Sequence, residues 1–412
     1  MRKIRTIICF IICMVVIVTH KNTIYAEEDN LNLYAQSAVL MDADSGRILY
    51  AKNSDVFMAN VSTTKILTCI VALEQGELED YAEITANAAS MPKVRLGVSE
   101  GEYYKLRDLL YALMLESYND AAMAIAEHIG GSRDGFSELM NRKATEIGCK
   151  NTYFITPNGL DAVVNVDGTE QAHGTTAEDL ARIMAYCVWE SPAREQFLQI
   201  TQAHTYQLNN YKKADDGSFS TGSRNFSCAN HNAFLTMMDG VVSGKTGFTN
   251  KAGYCYVCAF DRDNKHYTLS LLACGWPNNR TYKWKDATKL LQFGMEHFQY
   301  KNILQDIATE PVTVIGGIGE TVFSKTTVVD TRAEQEHQPS LEVLMGDEDV
   351  VKTQTSLEKH NQAPVAIGTV VGSVTYYLND EKICSFPVKT TEAIPVRDYW
   401  YVLSFLWKNF SL

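Results

Sequence analysis

The chain has 412 residues, 46% of them hydrophobic and 21% charged, with a formal net charge of -12. So apolar a composition excludes a disordered chain, and an acidic balance without a basic stripe excludes general nucleic-acid binding. At this length the chain can bury a sizeable core and hold more than one domain.

At the N-terminus, Arg2, Lys3 and Arg5 precede the apolar run Ile7 to Val18, and Tyr25-Ala26 then offers a small residue for cleavage. Residues 1–26 are expected to form a secretory signal; an uncleaved anchor is the alternative, although the run is short for a span of about twenty residues. Cys13 lacks the small-residue context of a lipoprotein site. The mature chain is therefore expected outside the cytoplasm, with Ala38-Val39-Leu40-Met41 as an early strand.

Ser62-Thr63-Thr64-Lys65 stands where an apolar helical run begins, continuing through Ile66, Leu67, Ile70, Val71, Ala72 and Leu73. Residues three apart share a helix face, so the Lys65 amine can reach the Ser62 hydroxyl and serve as its base. Burial of the run disfavours the charged ammonium, and N–H groups near a helix N-terminus suit a developing oxyanion. The S-x-x-K pattern alone is weak, since roughly one or two matches arise by chance in a chain this long. Ser90-Met91-Pro92-Lys93 also fits it, but Pro92 opposes a regular helical turn. Ser356-Leu357-Glu358-Lys359 follows the acidic run Asp347-Glu348-Asp349 and opens no apolar helix, so it reads as a solvated loop or turn.

Ser117-Tyr118-Asn119 interrupts two helical patterns, one carrying Leu106, Leu109, Leu110, Leu113 and Met114, the other running from Asp120 to Gly130-Gly131. A loop there can aim Ser117 and Asn119 into a cleft; an ordinary helix cap is the alternative, and Ser223-Arg224-Asn225 repeats the pattern. Lys245-Thr246-Gly247 lies between Val241-Val242 and the strand-like run Tyr254 to Phe260. Lys245 offers a charge, Thr246 a hydroxyl and Gly247 room for close approach, which together suit a substrate carboxylate.

Beyond the leader the chain carries Cys69, Cys149, Cys187, Cys228, Cys255, Cys258, Cys274 and Cys384. Cys255 and Cys258 form a C-x-x-C within a predicted strand, which sends them to opposite faces, and no second pair completes a zinc site. Free, mostly buried thiols are expected, with no metal and no cofactor. His173, before Thr175-Thr176-Ala177, reads as a positioning or core residue. Two domains follow from about Glu27 to Asp306 and from Ile307 to Pro395, the second β-rich through runs such as Pro311 to Ile315 and Gly372 to Tyr377. Arg332 to Ala363 is polar enough to be a long mobile loop. The tail, residues 396–412, gathers Tyr399, Trp400, Tyr401, Phe405, Trp407 and Phe410, a density that suits a membrane interface; a helix docked on the second domain is the alternative.

Taken in order, S-x-x-K, S-x-N and K-T-G resemble the signature set of penicillin-recognising serine enzymes. Ser62 to Thr68, Gly148 to Thr152, Pro157-Asn158-Gly159-Leu160 and Gly244 to Thr249 are similar to one branch, the D-alanyl-D-alanine carboxypeptidases among the low-molecular-mass penicillin-binding proteins. The resemblance spans most of the chain after the leader. It implies an α/β (α+β) serine DD-peptidase/β-lactamase-like catalytic domain at 27–306, with a sheet packed by helices, and a smaller β-rich C-terminal domain at 307–395.

By the same resemblance, Ser62 attacks the peptide bond between two terminal D-alanines of a peptidoglycan stem peptide, and β-lactam antibiotics acylate the same serine. Lys65 is then the general base, Ser117 a proton relay to the leaving amine, and Asn119 a partner of the substrate amide. Lys245 and Thr246 hold the terminal carboxylate beside Gly247, the N–H groups of Ser62 and Phe248 form the oxyanion hole, and Arg280 looks like the family arginine near that carboxylate. Asn60-Val61 and Tyr118 depart from the family pattern, which often has Pro-Ala and a small residue there; neither change removes a catalytic group. A β-lactamase and a wall-binding or antibiotic-sensing module that acylates without turnover are the alternatives.

Overall fold

Apolar residues at successive positions along Ser37–Asp42, all buried, place this strand inside the molecule with both faces covered. The computed structural model describes residues 31–334 and 340–410, so the expected signal and Cys13 lie outside the described residues. The chain divides into two compact units, Met1–Glu296 and His297–Leu412.

In the first unit an antiparallel sheet runs in the order Ile48–Lys52, Ser37–Asp42, Lys265–Leu272, Gly253–Arg262, Val241–Thr249. Strand alternation explains the double burial. Val39, Met41, Val257 and Ala259 join a core shared with helices Lys65–Gln75, Leu106–Leu115, Asn119–Gly130 and Ala177–Ala185. Residues of opposite parity meet the Tyr282–His297 helix: the Tyr267 hydroxyl donates to Gly294 O at 2.9 Å, and the Tyr256 and Trp284 rings meet edge to face at 4.8 Å. A second, smaller sheet orders Tyr81–Glu83, Tyr103–Lys105, Thr205–Lys213 and Phe219–Ala229. Val241–Thr249 ends the main sheet, and among the described residues no further strand pairs with its outer edge, which is where Lys245, Thr246 and Gly247 lie.

The second unit is β-rich around Val314, Val329, Val371, Val374, Tyr376 and Val388. Here the expectation of a long loop from Arg332 to Ala363 is corrected: strands occupy Glu342–Gly346, Val351–Leu357 and His360–Gln362. Val351–Leu357 is the edge of a four-stranded sheet, paired with Val370–Leu378, and Lys352 to Ser356 are all exposed. An edge strand that faces water on both sides carries no apolar alternation, so its polarity hid it. Ser356 and Leu357 of the third S-x-x-K match belong to this strand, with Ser356 opposite Ser373.

All eight described cysteines are unpaired, and six of them are buried. Tyr399–Phe410 forms a helix on which Tyr399, Trp400 and Trp407 are each more than 70% exposed. Among the described residues no helix is long and apolar enough to cross a membrane.

Candidate active site

Ser62 sits in a single 3-10 turn, Val61–Thr64, that runs directly into the Lys65–Gln75 helix. Thr63 closes the turn, its N–H and hydroxyl both donating to Asn60 O at 3.2 and 2.5 Å. Val61 has φ +45°, a left-handed conformation that costs a β-branched residue strain. Two glycines leave room for it. A Cβ at Gly159 would lie 1.9 Å from Val61 O, and one at Gly247 would lie 2.4 Å from Val61 Cγ2 and 3.0 Å from Ser62 N. The nucleophile turn thus packs straight onto the backbone of the edge strand and of the Pro157–Leu160 segment.

Lys65 is fully buried, and its Nζ donates to Ser62 Oγ at 3.1 Å and to Asn119 Oδ1 at 2.9 Å. Loss of hydration is the main cause that holds its amine well below the usual lysine range, the nearby Lys245 cation adds to it, and Asp120 opposes it. A lysine so placed can lose its proton and take one from the serine.

Asn119 begins the Asn119–Gly130 helix instead of lying in the loop before it. Its N–H donates to Val94 O at 2.8 Å and its Nδ2 to Pro92 O at 3.2 Å. The neighbouring Asp120 carboxylate accepts from the N–H groups of Leu96, Gly97 and Val98 at 2.9, 2.7 and 3.3 Å. The non-helical Ser90–Lys93 segment therefore belongs to the wall of the site. Ser117 is in the connecting loop at φ +64°, with its hydroxyl buried and unpartnered by any described residue.

Lys245 is 4% exposed, donates to Thr246 O at 3.1 Å, and is pushed down to about 7 by burial. Tyr254 faces Phe248 across the hairpin, yet its N–H donates to Gly275 O at 2.9 Å and its carbonyl accepts from Cys274 N at 2.6 Å. Its polar groups point away from the edge strand. Phe248 and Tyr254 are therefore a pair without mutual hydrogen bonds, and the Phe248 N–H is directed to the open edge. The Phe248 and Tyr254 rings lie 4.4 Å apart, Lys283 stands 4.5 Å over Tyr254, and Lys283 Nζ donates to Arg280 O at 2.6 Å. Arg280 itself is exposed, just after the Pro277–Asn279 turn.

The geometry gathers Ser62, Lys65, Asn119 and Gly247 directly. Lys245 acts on Lys65 through its charge, and the backbone carbonyl of Arg280 is linked to the Phe248 end of the strand through Lys283 and Tyr254. Gly159, Asp120 and Lys283 were not singled out from the sequence; of these, Gly159 had a signal in the P-N-G-L segment. Among the described residues no group of three or more His, Cys, Asp or Glu is placed to hold a metal.

The family described as D-alanyl-D-alanine carboxypeptidase matches residues 22–272, and the family described as penicillin-binding protein 5, C-terminal domain, matches residues 325–396. The chain is 28% identical to a D-alanyl-D-alanine carboxypeptidase, DacF, of Bacillus subtilis over 87% of this chain and 85% of that one. It is 30% identical to a D-alanyl-D-alanine carboxypeptidase, DacA, of Haemophilus influenzae over 85% and 83%. Among solved structures, penicillin binding protein 5 from Haemophilus influenzae is 27% identical, with a TM-score of 0.61 over 88% of this chain and 98% of that one. The matched segment carries the S-x-x-K, S-x-N and K-T-G residues and covers more than half of the molecule, so the chain belongs to the D-alanyl-D-alanine carboxypeptidase family.

Proposed function

We propose that this protein is a serine-type D-alanyl-D-alanine carboxypeptidase that trims peptidoglycan stem peptides and is acylated by β-lactams. The observation that carries the reading is the fully buried Lys65 amine, 3.1 Å from Ser62 Oγ. Neutral Lys65 takes the Ser62 proton as Oγ bonds to the carbonyl carbon between two D-alanines. The N–H groups of Ser62 and Phe248 stabilise the oxyanion, where losing one donor costs about a hundredfold or more. Ser117 passes a proton to the leaving amine as the C–N bond breaks, and water then cleaves the ester. Asn119 binds the substrate amide, and Lys245 with Thr246 holds the terminal carboxylate. Arg280 supplies further positive charge at that end of the strand.

Free D-alanine released from a peptide ending in D-Ala-D-Ala tests the reading, measured across pH with Ser62→Ala alongside. Release should depend on Ser62 and follow a bell. Lys65 must be neutral, so activity falls as acid protonates it. Lys245 must be charged, so kcat/KM falls as pH rises above about 7, the value to which burial brings it in the free enzyme. Acylation by penicillin without any D-alanine release would instead support a sensing module.

We further propose that the enzyme works outside the cytoplasmic membrane, delivered by the leader at residues 1–26 and held at the surface by its C-terminal helix. Charge before the apolar run supports export, and the exposed Trp400 and Trp407 support an interfacial helix. Deleting residues 398–412 should abolish sedimentation with anionic lipid vesicles; equal sedimentation of the truncated protein would sink the anchor.

A further inference from the structure

We infer that His173 is a positioning residue for the catalytic turn and acts through the Thr64 hydroxyl; the inference rests on the assignment of Ser62 as nucleophile. His173 is 5% exposed, and its ring is fixed at both nitrogens. Nδ1 lies 2.9 Å from Ile155 N and 3.3 Å from Thr156 N, and backbone N–H groups can only donate. Nδ1 is therefore the acceptor, and the ring proton is on Nε2.

That proton has one destination. Nε2 donates to Thr64 Oγ1 at 3.0 Å, and the same oxygen accepts from Asn60 Nδ2 at 3.0 Å. Thr64 is fully buried, two residues after Ser62 and immediately before Lys65. The hydroxyl thus anchors the turn at the point between nucleophile and base.

The backbone that carries His173 is stapled to the same frame. Its N–H donates to Ala162 O at 2.9 Å, and Gly174 exchanges two bonds with Tyr153, both 3.0 Å. Thr175 exchanges two more with Met58, at 2.8 and 3.0 Å, on the segment that leads into the turn. The imidazole therefore closes a loop from Met58 through Thr175 and His173 back to Thr64, so the turn cannot drift without breaking it. Burial holds the ring down at about 4, so it is neutral in the working range. With Nδ1 occupied and Nε2–H committed, it is no base for Ser62.

The consequence is kinetic. A displacement of about 1 Å at a reacting group can cost about a hundredfold. The full chain is acylated with labelled penicillin, separating the non-covalent Kd from the acylation rate constant. Thr64→Val removes the acceptor and should slow the acylation step about 10- to 100-fold with Kd unchanged. Thr64→Ser retains the hydroxyl and should recover most of the rate. His173→Phe keeps the ring volume and should be slow too, and the double variant should be no slower than the slower single one.

Thr64→Val reacting at the parent rate, Thr64→Ser as slow as Thr64→Val, or a double variant losing the product of the single losses would each overturn the inference. If His173→Phe does not fold, the Thr64 pair decides. Ser62→Ala in the same assay must stay unlabelled; labelling there would overturn the nucleophile assignment instead, whatever the Thr64 variants do.

Discussion

Lys65→Met should slow acylation by about a thousandfold or more while the protein stays folded. General acid–base groups contribute about 10²- to 10⁴-fold, and here one amine serves both the serine and the Asn119 amide oxygen. Methionine is unbranched and of similar length, so it fills the buried space left by Lys65 without creating a cavity. It removes a costly buried amine but leaves the buried Asn119 amide oxygen without its donor, so the two effects oppose and thermal stability should change by no more than about 1–3 kcal/mol. Lys65→Arg should be as inactive, because a guanidinium does not give up its proton. Labelled-penicillin kinetics with circular dichroism checks both. A Lys65→Met protein acylating within about tenfold of the parent would assign the proton to another group.

Gly159→Ala is expected to lose about a hundredfold in acylation rate, although residue 159 touches no substrate atom in the proposed reaction. Its φ of +81° disfavours any L side chain, and a Cβ would lie 1.9 Å from Val61 O and 2.8 Å from Thr64 Oγ1. The nearest atom is backbone, so the whole nucleophile turn has to shift. The left-handed strain and the lost packing should also lower the unfolding midpoint by several degrees, for a cost of about 1–3 kcal/mol. The same acylation assay and a thermal scan read both effects; a variant with parent kinetics would show that the turn tolerates displacement.

Local chemistry was legible in the sequence, and long-range assembly was not. Lys65 reaches Ser62 within one turn of one helix, so spacing and the apolar run after it suffice to bring them together. The burial of its first two turns on every side, Lys65 to Ala72, follows from their largely apolar composition. The contribution of Gly159 is invisible by the same method, because it arises where a residue 98 positions away packs on Val61. So does the pinning of Asn119 by Pro92 and Val94, in a segment whose proline argues only for a missing helix. Val351–Leu357 was missed for a different reason: strand signals depend on one buried face, and this strand has none.

Val61 bears on how durable the protein can be. A β-branched residue held at φ +45° forgoes on the order of 1–3 kcal/mol, beside two buried lysines that water would solvate better. A folded domain of this kind retains only about 5–15 kcal/mol in total, so a sizeable share of its margin is surrendered at one place. Variants selected for heat resistance alone should therefore relax the Asn60–Lys65 turn first, and durability and turnover should pull against each other there more than anywhere in the β-rich unit.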